Sequence, residues 1–387
     1  MNEEIIECKL GIWNNTLPGF STDEEGVSNY ARMQLALMHD FPLDQAGEKK
    51  WNNLLRTIKS AGNGKKYDCI IGVSGGTDSS YLLHLAKEWG LRPLAINLDN
   101  GWNSDIAVKN IHRMTSVLNI DLETYVVDYE EMKDILRSYL LAGLPWLDNP
   151  TDQAIKAILY RYARKEGIKT ILIGTDFRSE GKQPSEWTYG DYKQLSYVHR
   201  KFGRQKRETY PENRFVMTIW SAYIMKIKLM SPFNYIKYDK KYAQEFLEKN
   251  YDWNYYGEHH HENLFTKWVI SYWMYEKFRI DKRIITYSAQ VLNGSLTRSE
   301  AKAIVAEKPY RKDTIEAETS YVLKKLDLSE EEFHIAWKSA AKTFKNYPSY
   351  YESITKYASI LKILSKYILK TKPKLFYELE NRKATTN

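Results

Sequence analysis

Cysteine is nearly absent from this chain. Cys8 and Cys69 are the two cysteines among 387 residues. Two cysteines cannot build a disulfide framework or a zinc site with four cysteine ligands. Cys69 lies inside an apolar, β-branched run and is interpreted as a small core residue. A disulfide framework and a four-cysteine zinc module are therefore excluded.

The chain also lacks a long uninterrupted apolar run. The longest apolar windows, such as residues 215–230, are broken by Lys226 and Lys228. The acidic start, residues 1–7, has neither the basic nor the apolar region of a signal peptide. We therefore expect no membrane span and a cytoplasmic protein.

Acidic residues are outnumbered by basic ones, 49 against 57, which gives a net charge of +8. A basic surface suits nucleotides, sugar nucleotides, RNA or membrane phosphates alike, so the charge selects no partner. Residues 199–207 concentrate positive charge and are interpreted as a flexible basic loop, although an RNA contact remains open. The polar, basic tail from residue 371 to residue 387 is expected to fray.

Three common motifs are missing: the Walker loop, Gly-x-Gly-x-x-Gly and His-Glu-x-x-His. Instead, a short apolar strand, residues 69–73, leads through Ser74-Gly-Gly-Thr-Asp-Ser79 into a helical run. Adjacent glycines allow close approach of the backbone to a ligand, and the N–H groups of a helix start attract anions. Hydroxyls at Ser74, Thr77 and Ser79 would add donors. The segment predicts an anion site built without Lys or Arg; a tight turn with incidental polar residues is the alternative.

Strands and helices alternate regularly from Tyr67 to Gly174. Strands are predicted at residues 92–98, 122–128 and 170–174, with helices at 104–118 and 131–141 and another that Thr151 could cap. Such alternation predicts a parallel sheet covered on both faces, with ligands at the carboxyl ends of its strands. Residues 74–76, 99–102 and 174–176 fall at those ends. Beyond residue 180 the alternation fades, and segments such as 219–228 are predicted to be helical.

Carboxylates beside a phosphate site suggest a cation. Mg²⁺ prefers one or two carboxylates plus phosphate oxygens, which makes Asp78 and Asp176 the candidate metal ligands. Asp78 could equally be a helix N-cap. Asp152 is predicted in the first turn of a helix, where it either caps the helix or faces the cleft to orient substrate.

The hexapeptide at residues 74–79 resembles the SGGxDS loop of the PP-loop ATP pyrophosphatases. Further segments resemble, in order, the N-acetyl sugar amidotransferases of surface-polysaccharide biosynthesis, which act in lipopolysaccharide O-antigen and nonulosonate pathways. The resemblance covers about residues 8–310 and includes LPGFSTDEEGV (17–27), LDNGWNS (98–104), VKN (108–110), TYVVD (124–128), PTDQAIK (150–156), SEG (179–181) with Trp187, YYGEHHHE (255–262), FTK (265–267) and IDKR (280–283).

This resemblance implies a fold and a site. The fold would be a five-stranded, parallel, doubly wound sheet of the adenine nucleotide α-hydrolase type, with a helical C-terminal region. The implied divisions are a preamble at 1–66, the PP-loop domain at 67–215 and a helical substrate or partner region at 216–387. Catalytic roles fall on Asp78 and Asp152, and substrate contacts on Trp102, Glu180, Trp187, His259 and His260. ATP and pyrophosphate would contact Val73, Ser74, Gly75, Gly76, Thr77, Asp78, Ser79, Ser80, Leu98, Asp99 and Gly174.

The resemblance also implies a reaction and partners. ATP and Mg²⁺ would be used to adenylate the oxygen of a sugar N-acetyl group, and ammonia would displace AMP to leave an acetamidino group. A separate glutaminase would supply the ammonia, in some members through a barrel-shaped subunit. The Cys-rich start of many members is reduced to Cys8 here, so we expect no structural zinc. Two alternatives stay open: another PP-loop adenylating enzyme, such as a tRNA-modifying ligase, and a non-catalytic nucleotide-binding subunit. We expect no nucleic-acid partner under the first interpretation.

Overall fold

A computed structural model describes residues 4–255, 263–368 and 373–381. Two helices, α1 (Asn29–Asp40) and α2 (Gln45–Ala61), precede a central sheet. The sheet contains β1 (Cys69–Gly72), β2 (Pro93–Asp99), β3 (Asp121–Val126), β4 (Thr170–Leu172) and β5 (Lys228–Met230). Its order is β3-β2-β1-β4-β5, and every neighbouring pair is parallel. The predicted five-stranded parallel sheet is confirmed.

Helices on both faces of the sheet make it doubly wound. The crossovers between its strands contain α3 (Thr77–Glu88), α4 (Asp105–Val117), α5 (Tyr129–Leu141) and α6 (Asn149–Lys165). Side chains alternate along β1, so Ile70 joins one apolar cluster with α5 and α6, while Cys69 and Ile71 join a second one with α3 and α4. Because β1 lies between β2 and β4, the chain reverses its direction of winding there. That switch point is where open α/β sheets leave a crevice.

The place of the last strand, β5, in the sequence was not predicted. Residues 219–228 were expected to be helical, but the helix ends at Ile224 and Lys228 begins β5. Between β4 and β5 lie α7 (Phe177–Glu180), α8 (Ser185–Thr188), α9 (Tyr192–Phe202) and α10 (Phe215–Ile219), which continues as a π-helix (Trp220–Ile224). The sheet therefore takes its edge strand from beyond residue 215.

A helical region follows β5. It comprises a 3₁₀ turn (Pro232–Asn234), α11 (Lys240–Tyr251), α12 (Leu264–Trp268), a π-helix (Val269–Lys277), α13 (Arg283–Asn293), α14 (Arg298–Ala306), α15 (Ile315–Lys325), α16 (Glu330–Lys338), a 3₁₀ turn (Phe344–Asn346), α17 (Tyr351–Lys356), α18 (Ala358–Ile368) and α19 (Lys374–Asn381). α11 packs on α3 and α4, and α13 packs on α7. In the described ranges, no helix combines the length and apolar character that a membrane span requires.

The C-terminal tail is ordered where α19 docks. Glu378 is buried and receives hydrogen bonds from Lys182 Nζ (2.8 Å) and from the backbone N–H of Ser185 (2.8 Å). Tyr377 is buried beside it and donates to Asp40. The expectation that the tail frays is therefore wrong for residues 374–381, because an apolar face and a buried carboxylate anchor this helix.

The basic segment at residues 199–207 is also anchored. Asp134 accepts hydrogen bonds from the backbone N–H groups of Arg204 (2.9 Å) and Gln205 (3.0 Å), and it lies 2.9 Å from His199 Nε2. The Arg204 guanidinium pairs with Glu332 at 3.0 Å. The interpretation of a flexible loop is wrong here, because the buried carboxylate of Asp134 satisfies its backbone and the partly exposed Glu332 pairs with part of its charge.

Candidate active site

A cavity of about 320 Å³ opens at the carboxyl ends of β1, β2 and β4, at the switch point of the sheet. This volume lies within the range of small-molecule sites. The wall combines residues from all three strand ends with the start of α6 and with later segments: Gly72, Val73, Ser74, Gly76, Asp78, Ser79, Ile96, Asn97, Leu98, Asn100, Asn103, Trp146, Asp148, Thr151, Asp152, Ile155, Ile158, Leu159, Ile173, Gly174, Thr175, Glu180, Asn263, Thr266 and Lys282.

The loop after β1 presents the start of α3 to this cavity. Gly76 is the N-cap residue, and no side chain in the described ranges caps it. Hydroxyls shape the loop instead: Ser79 Oγ donates to the Gly76 carbonyl (3.2 Å), and the Gly76 N–H donates to Ser74 Oγ (3.4 Å). The first N–H groups of a helix have no intrahelical partner and carry a partial positive charge. The loop therefore offers the donors that an anion requires.

Two glycines make this loop geometry possible. Gly75 has a φ of +79°, and a Cβ there would lie 2.2 Å from the backbone oxygen of Ala107. A Cβ at Gly174, after β4, would lie 2.9 Å from the backbone carbon of Asp78. Both positions bring backbone against backbone, so a side chain at either would displace the loop or its neighbour.

Side chains from the segment after β5 hold Asp78 in place. Its carboxylate accepts hydrogen bonds from the Tyr238 hydroxyl and from Lys240 Nζ (3.2 Å). Burial, and then the charge of Asp78, raise the pKa of Tyr238 well above its usual value, so this phenol stays a donor. Tyr238 is fixed by stacking on Phe233, with ring centroids 4.0 Å apart. Asp78 is therefore an oriented carboxylate on the cavity wall, and the alternative that it caps α3 is wrong.

The start of α6 forms the opposite part of the wall. α6 begins three residues earlier than predicted, with Asp148 rather than Thr151 as N-cap and Pro150 in its first turn. Asp148 accepts a hydrogen bond from the Thr266 hydroxyl, and Asp152 Oδ2 accepts one from Trp146 Nε1 (2.8 Å). Asp152 therefore faces the cleft, which was one of its two predicted roles.

Lys282 is the cation of this wall, and the sequence prediction missed it. Its Nζ lies 4.2 Å from the centroid of the Trp146 ring, a cation–π contact. Burial lowers the pKa of Lys282 to about 8, against the opposing charges of Asp152, Glu180 and Asp148. Lys282 belongs to the IDKR segment of the family resemblance, which was a signal that it could be functional.

Nine of the predicted site residues line the cavity. They are Val73, Ser74, Gly76, Asp78, Ser79, Leu98, Asp152, Gly174 and Glu180. Gly75 sets the turn behind the wall, and Thr77 is buried in the first turn of α3. Ser80 accepts a hydrogen bond from Trp253 Nε1 (3.1 Å), and Asp99 Oδ1 accepts one from the Gly101 N–H (2.9 Å). The predicted loop therefore lies at the cavity, although several of the residues predicted to bind ATP lie behind the residues that line it.

Three other predicted residues lie away from the wall. Trp102 is fully buried against Phe265 (ring centroids 5.0 Å apart), and Trp187 is buried in a separate small depression. Asp176 caps α7 by accepting from the N–H groups of Arg178 and Ser179, both at 3.0 Å, and burial raises its pKa. The structure therefore does not place Asp176 beside Asp78 on the wall. His259 and His260 lie outside the described residues.

The side chains at this site could supply one carboxylate ligand to a metal ion, but they do not form a complete set of metal ligands. Within the described ranges, no three His, Cys, Asp or Glu side chains are grouped to hold a metal ion. Mg²⁺ in nucleotide sites needs one or two carboxylates, because phosphate oxygens and water complete its shell. Asp78 beside the helix start meets that requirement.

Comparisons with known proteins find one family match, in the C-terminal region of the chain. Residues 262–362 match the family model described as LPS biosynthesis protein WbpG-like, C-terminal domain. This match supports the predicted resemblance where the two overlap, over residues 262–310. An uncharacterized protein of Methanocaldococcus jannaschii is 30% identical over 131 residues, 33% of this chain and 44% of that protein. The chain thus matches less than half of that relative's length.

Solved structures with some likeness include two synthetases. The NMN synthetase from Francisella tularensis is 15% identical, with 61% of this chain and 96% of that chain covered and a TM-score of 0.28. The NH3-dependent NAD synthetase from Campylobacter jejuni is 12% identical, with 76% and 97% covered and a TM-score of 0.32. Both scores are low; the fold is established by the order and direction of the strands.

Proposed function

We propose that the protein is an ATP-dependent amidotransferase that adenylates the oxygen of a sugar N-acetyl group and lets ammonia displace AMP. The observation that carries this proposal is the presence, in one cavity, of the loop at the start of α3, Lys282 and four carboxylates, those of Asp78, Asp148, Asp152 and Glu180. The WbpG-like match adds support, because its description names lipopolysaccharide biosynthesis.

ATP would bind across the strand ends. Its β and γ phosphates would lie at the start of α3, where Ser74 and Ser79 shape the loop, and its adenosine beside Val73 and Leu98. Asp78 would hold Mg²⁺ together with phosphate oxygens, and the ion would offset the charge of the departing pyrophosphate. Tyr238 and Lys240 fix the direction of that carboxylate.

In the first step the amide oxygen would attack the α-phosphorus, and the bond from that phosphorus to the bridging oxygen would break. Pyrophosphate leaves with the electron pair, the amide N–H gives its proton to water, and the sugar keeps AMP on a neutral imidate. Negative charge on the transferring group increases along this path, and a cation fixed in a partly buried cavity stabilises it more than one in water does. Lys282 is that cation.

In the second step ammonia would add to the imidate carbon, and the carbon–oxygen bond to AMP would break. The product is an acetamidinium ion, which keeps the proton. Asp148, Asp152 and Glu180 line the cavity around Lys282. Carboxylates hold planar, cationic N–H donors well, so this wall suits ammonium before the step and amidinium after it.

The ammonia would come from a separate glutaminase. A glutaminase nucleophile must be an exposed or activated thiol, and both Cys8 and Cys69 are fully buried. Burial also raises the pKa of the Cys69 thiol. Neither cysteine is placed to hydrolyse glutamine.

The substrate class can be tested by measuring AMP and pyrophosphate. With ATP, ammonium and a panel of N-acetylated sugars and sugar nucleotides, we expect both products in equal amounts, and only when the N-acetyl compound is present. The de-acetylated sugar serves as the matched control. Turnover with tRNA in place of sugar would instead favour the tRNA-modifying alternative, and binding of ATP without any turnover would favour a nucleotide-binding subunit.

The pH dependence of adenylation should follow Lys282. Because the lysine acts as a cation, kcat/KM for ATP should fall as pH rises through about 8, where its pKa lies. Sugar-dependent exchange between ATP and pyrophosphate, measured without ammonium, isolates this step from the titration of ammonia. Lys282→Arg should move the fall to higher pH. A profile that rises through this range would show that Lys282 acts as a neutral base instead.

A further inference from the structure

The helix formed by α10 and the following π-helix exposes apolar side chains at a spacing of four residues. Val216, Trp220 and Ile224 form this apolar stripe, and they are 74%, 51% and 60% exposed. Phe215, Met217 and Ile219 flank it and are exposed as well. Scattered exposed apolar residues are ordinary, but a continuous set that includes Trp usually marks a binding surface.

The opposite face of this helix is held by polar contacts. Ser221 is fully buried; its Oγ accepts a hydrogen bond from Arg164 Nη1 (2.8 Å) and donates to the Met217 carbonyl (2.7 Å). Rolling the helix to bury the stripe would separate the half-buried Arg164 from Ser221 and break a hydrogen bond to a fully buried hydroxyl. The outward direction of the stripe is therefore fixed by the fold.

The sequence around the stripe has one sign of charge. From residue 213 to residue 238 there is no Asp or Glu, whereas Lys226, Lys228 and Lys237 are basic; Arg214 is basic as well but pairs with Glu212 at 2.7 Å. Lys226 is exposed directly after the helix, in the left-handed conformation with φ of +56°. An apolar stripe with lysines beside it and no acidic residues matches the composition of interfacial helices.

A second element repeats this composition. On and just before α18, Tyr357, Ile360 and Ile363 are exposed. The sequence from residue 353 to residue 377 contains six lysines and no acidic residue; among them, Lys362 pairs with Glu380 and Lys374 is half-buried. The rings of Phe215 and Tyr350 stack with centroids 4.8 Å apart and connect the start of the first helix to the segment that leads into α17 and α18.

We propose that the apolar stripe is a docking surface for an anionic phospholipid bilayer. The apolar side chains would enter the boundary between headgroups and acyl chains, and the lysines would contact lipid phosphates. The charge pattern favours this occupant over a second copy of the chain. A two-fold dimer through the stripe would bring the same lysine-rich segments of both subunits together, which like-charge repulsion disfavours.

Vesicle flotation of the full chain tests this proposal. We expect the protein to float with vesicles of phosphatidylglycerol and phosphatidylcholine, and far less with phosphatidylcholine alone or in high salt. Replacing Val216, Trp220 and Ile224 together by Ser should weaken the partition coefficient on the order of tenfold or more. The matched control replaces Ile5, Val117 and Ile335 by Ser; these are 62%, 55% and 63% exposed and lie outside both lysine-rich segments.

The outcomes separate clearly, because all six positions are exposed and thermal unfolding checks that both variants fold. Loss of flotation in the stripe variant alone supports the proposal. Equal flotation of the two variants, or none by the native chain, overturns it. A native oligomer that the stripe variant converts to monomer also overturns it, in favour of a contact between protein chains. Adenylation without vesicles should be unchanged in both variants, since neither alters the cavity.

Discussion

Lys282→Met should lower the rate of sugar-dependent pyrophosphate release by about 10²- to 10³-fold, the usual loss when one preorganised charge donor is removed from a transition state. Methionine keeps most of the volume of the side chain but removes the ammonium that lies over the Trp146 ring. The KM for ATP should change much less, because the loop at the start of α3 binds the phosphates in the ground state.

Two controls make this result specific. Lys87→Met removes an exposed lysine near the end of α3 and should leave the rate within about twofold, as surface substitutions usually have small effects. Lys282→Arg restores a cation and should recover part of the rate. If Lys282→Met matched Lys87→Met, the cavity cation would have no part in the chemistry and the assignment of the cleft would fail.

Gly75→Ala should disable the loop. A Cβ at this position would lie 2.2 Å from the backbone oxygen of Ala107, and the φ of +79° is strained for any L-residue. The left-handed conformation alone costs about 1–2 kcal/mol, and the clash must move the loop or α4. A displacement of about 1 Å at a phosphate site lowers turnover by about 10²-fold, so we expect at least that loss in pyrophosphate release.

Gly64→Ala is the matched control. Gly64 has a similar φ of +73°, but a Cβ there would meet no atom within 4 Å. It should show the backbone strain as a lower midpoint in urea unfolding while keeping full activity. Gly75→Ala should lose both stability and activity. An active Gly75→Ala enzyme would contradict the placement of ATP phosphates at this loop.

The sheet and its loop were predictable because their signals are local. Residues 69–73 are continuously apolar, and the hexapeptide at 74–79 follows them directly. β5 escaped prediction since it is three residues long and lies at the edge of the sheet, where Leu229 is partly exposed. Edge strands have no requirement for an apolar sequence on both faces.

The remainder of the cavity depends on contacts distant in sequence. Lys282 contacts the ring of Trp146, which lies more than a hundred residues earlier in the chain. The residues next to Lys282 in the sequence give no sign that this lysine is buried. For two tryptophans the error is the reverse: Trp102 and Trp187 were predicted to contact the substrate, but they pack into the interior. An aromatic residue near a strand end serves a core or a cleft equally well, and tertiary packing decides between them.

The central claim, adenylation of an amide oxygen, predicts a transfer of oxygen that can be followed directly. An N-acetyl sugar labelled with ¹⁸O in the acetyl carbonyl should be incubated with ATP, ammonium and the enzyme, and the products analysed by mass spectrometry. We expect one ¹⁸O in the phosphate of AMP and none in pyrophosphate, because the amide oxygen leaves with AMP. Label that stays in the sugar product while AMP forms unlabelled would contradict the proposed reaction.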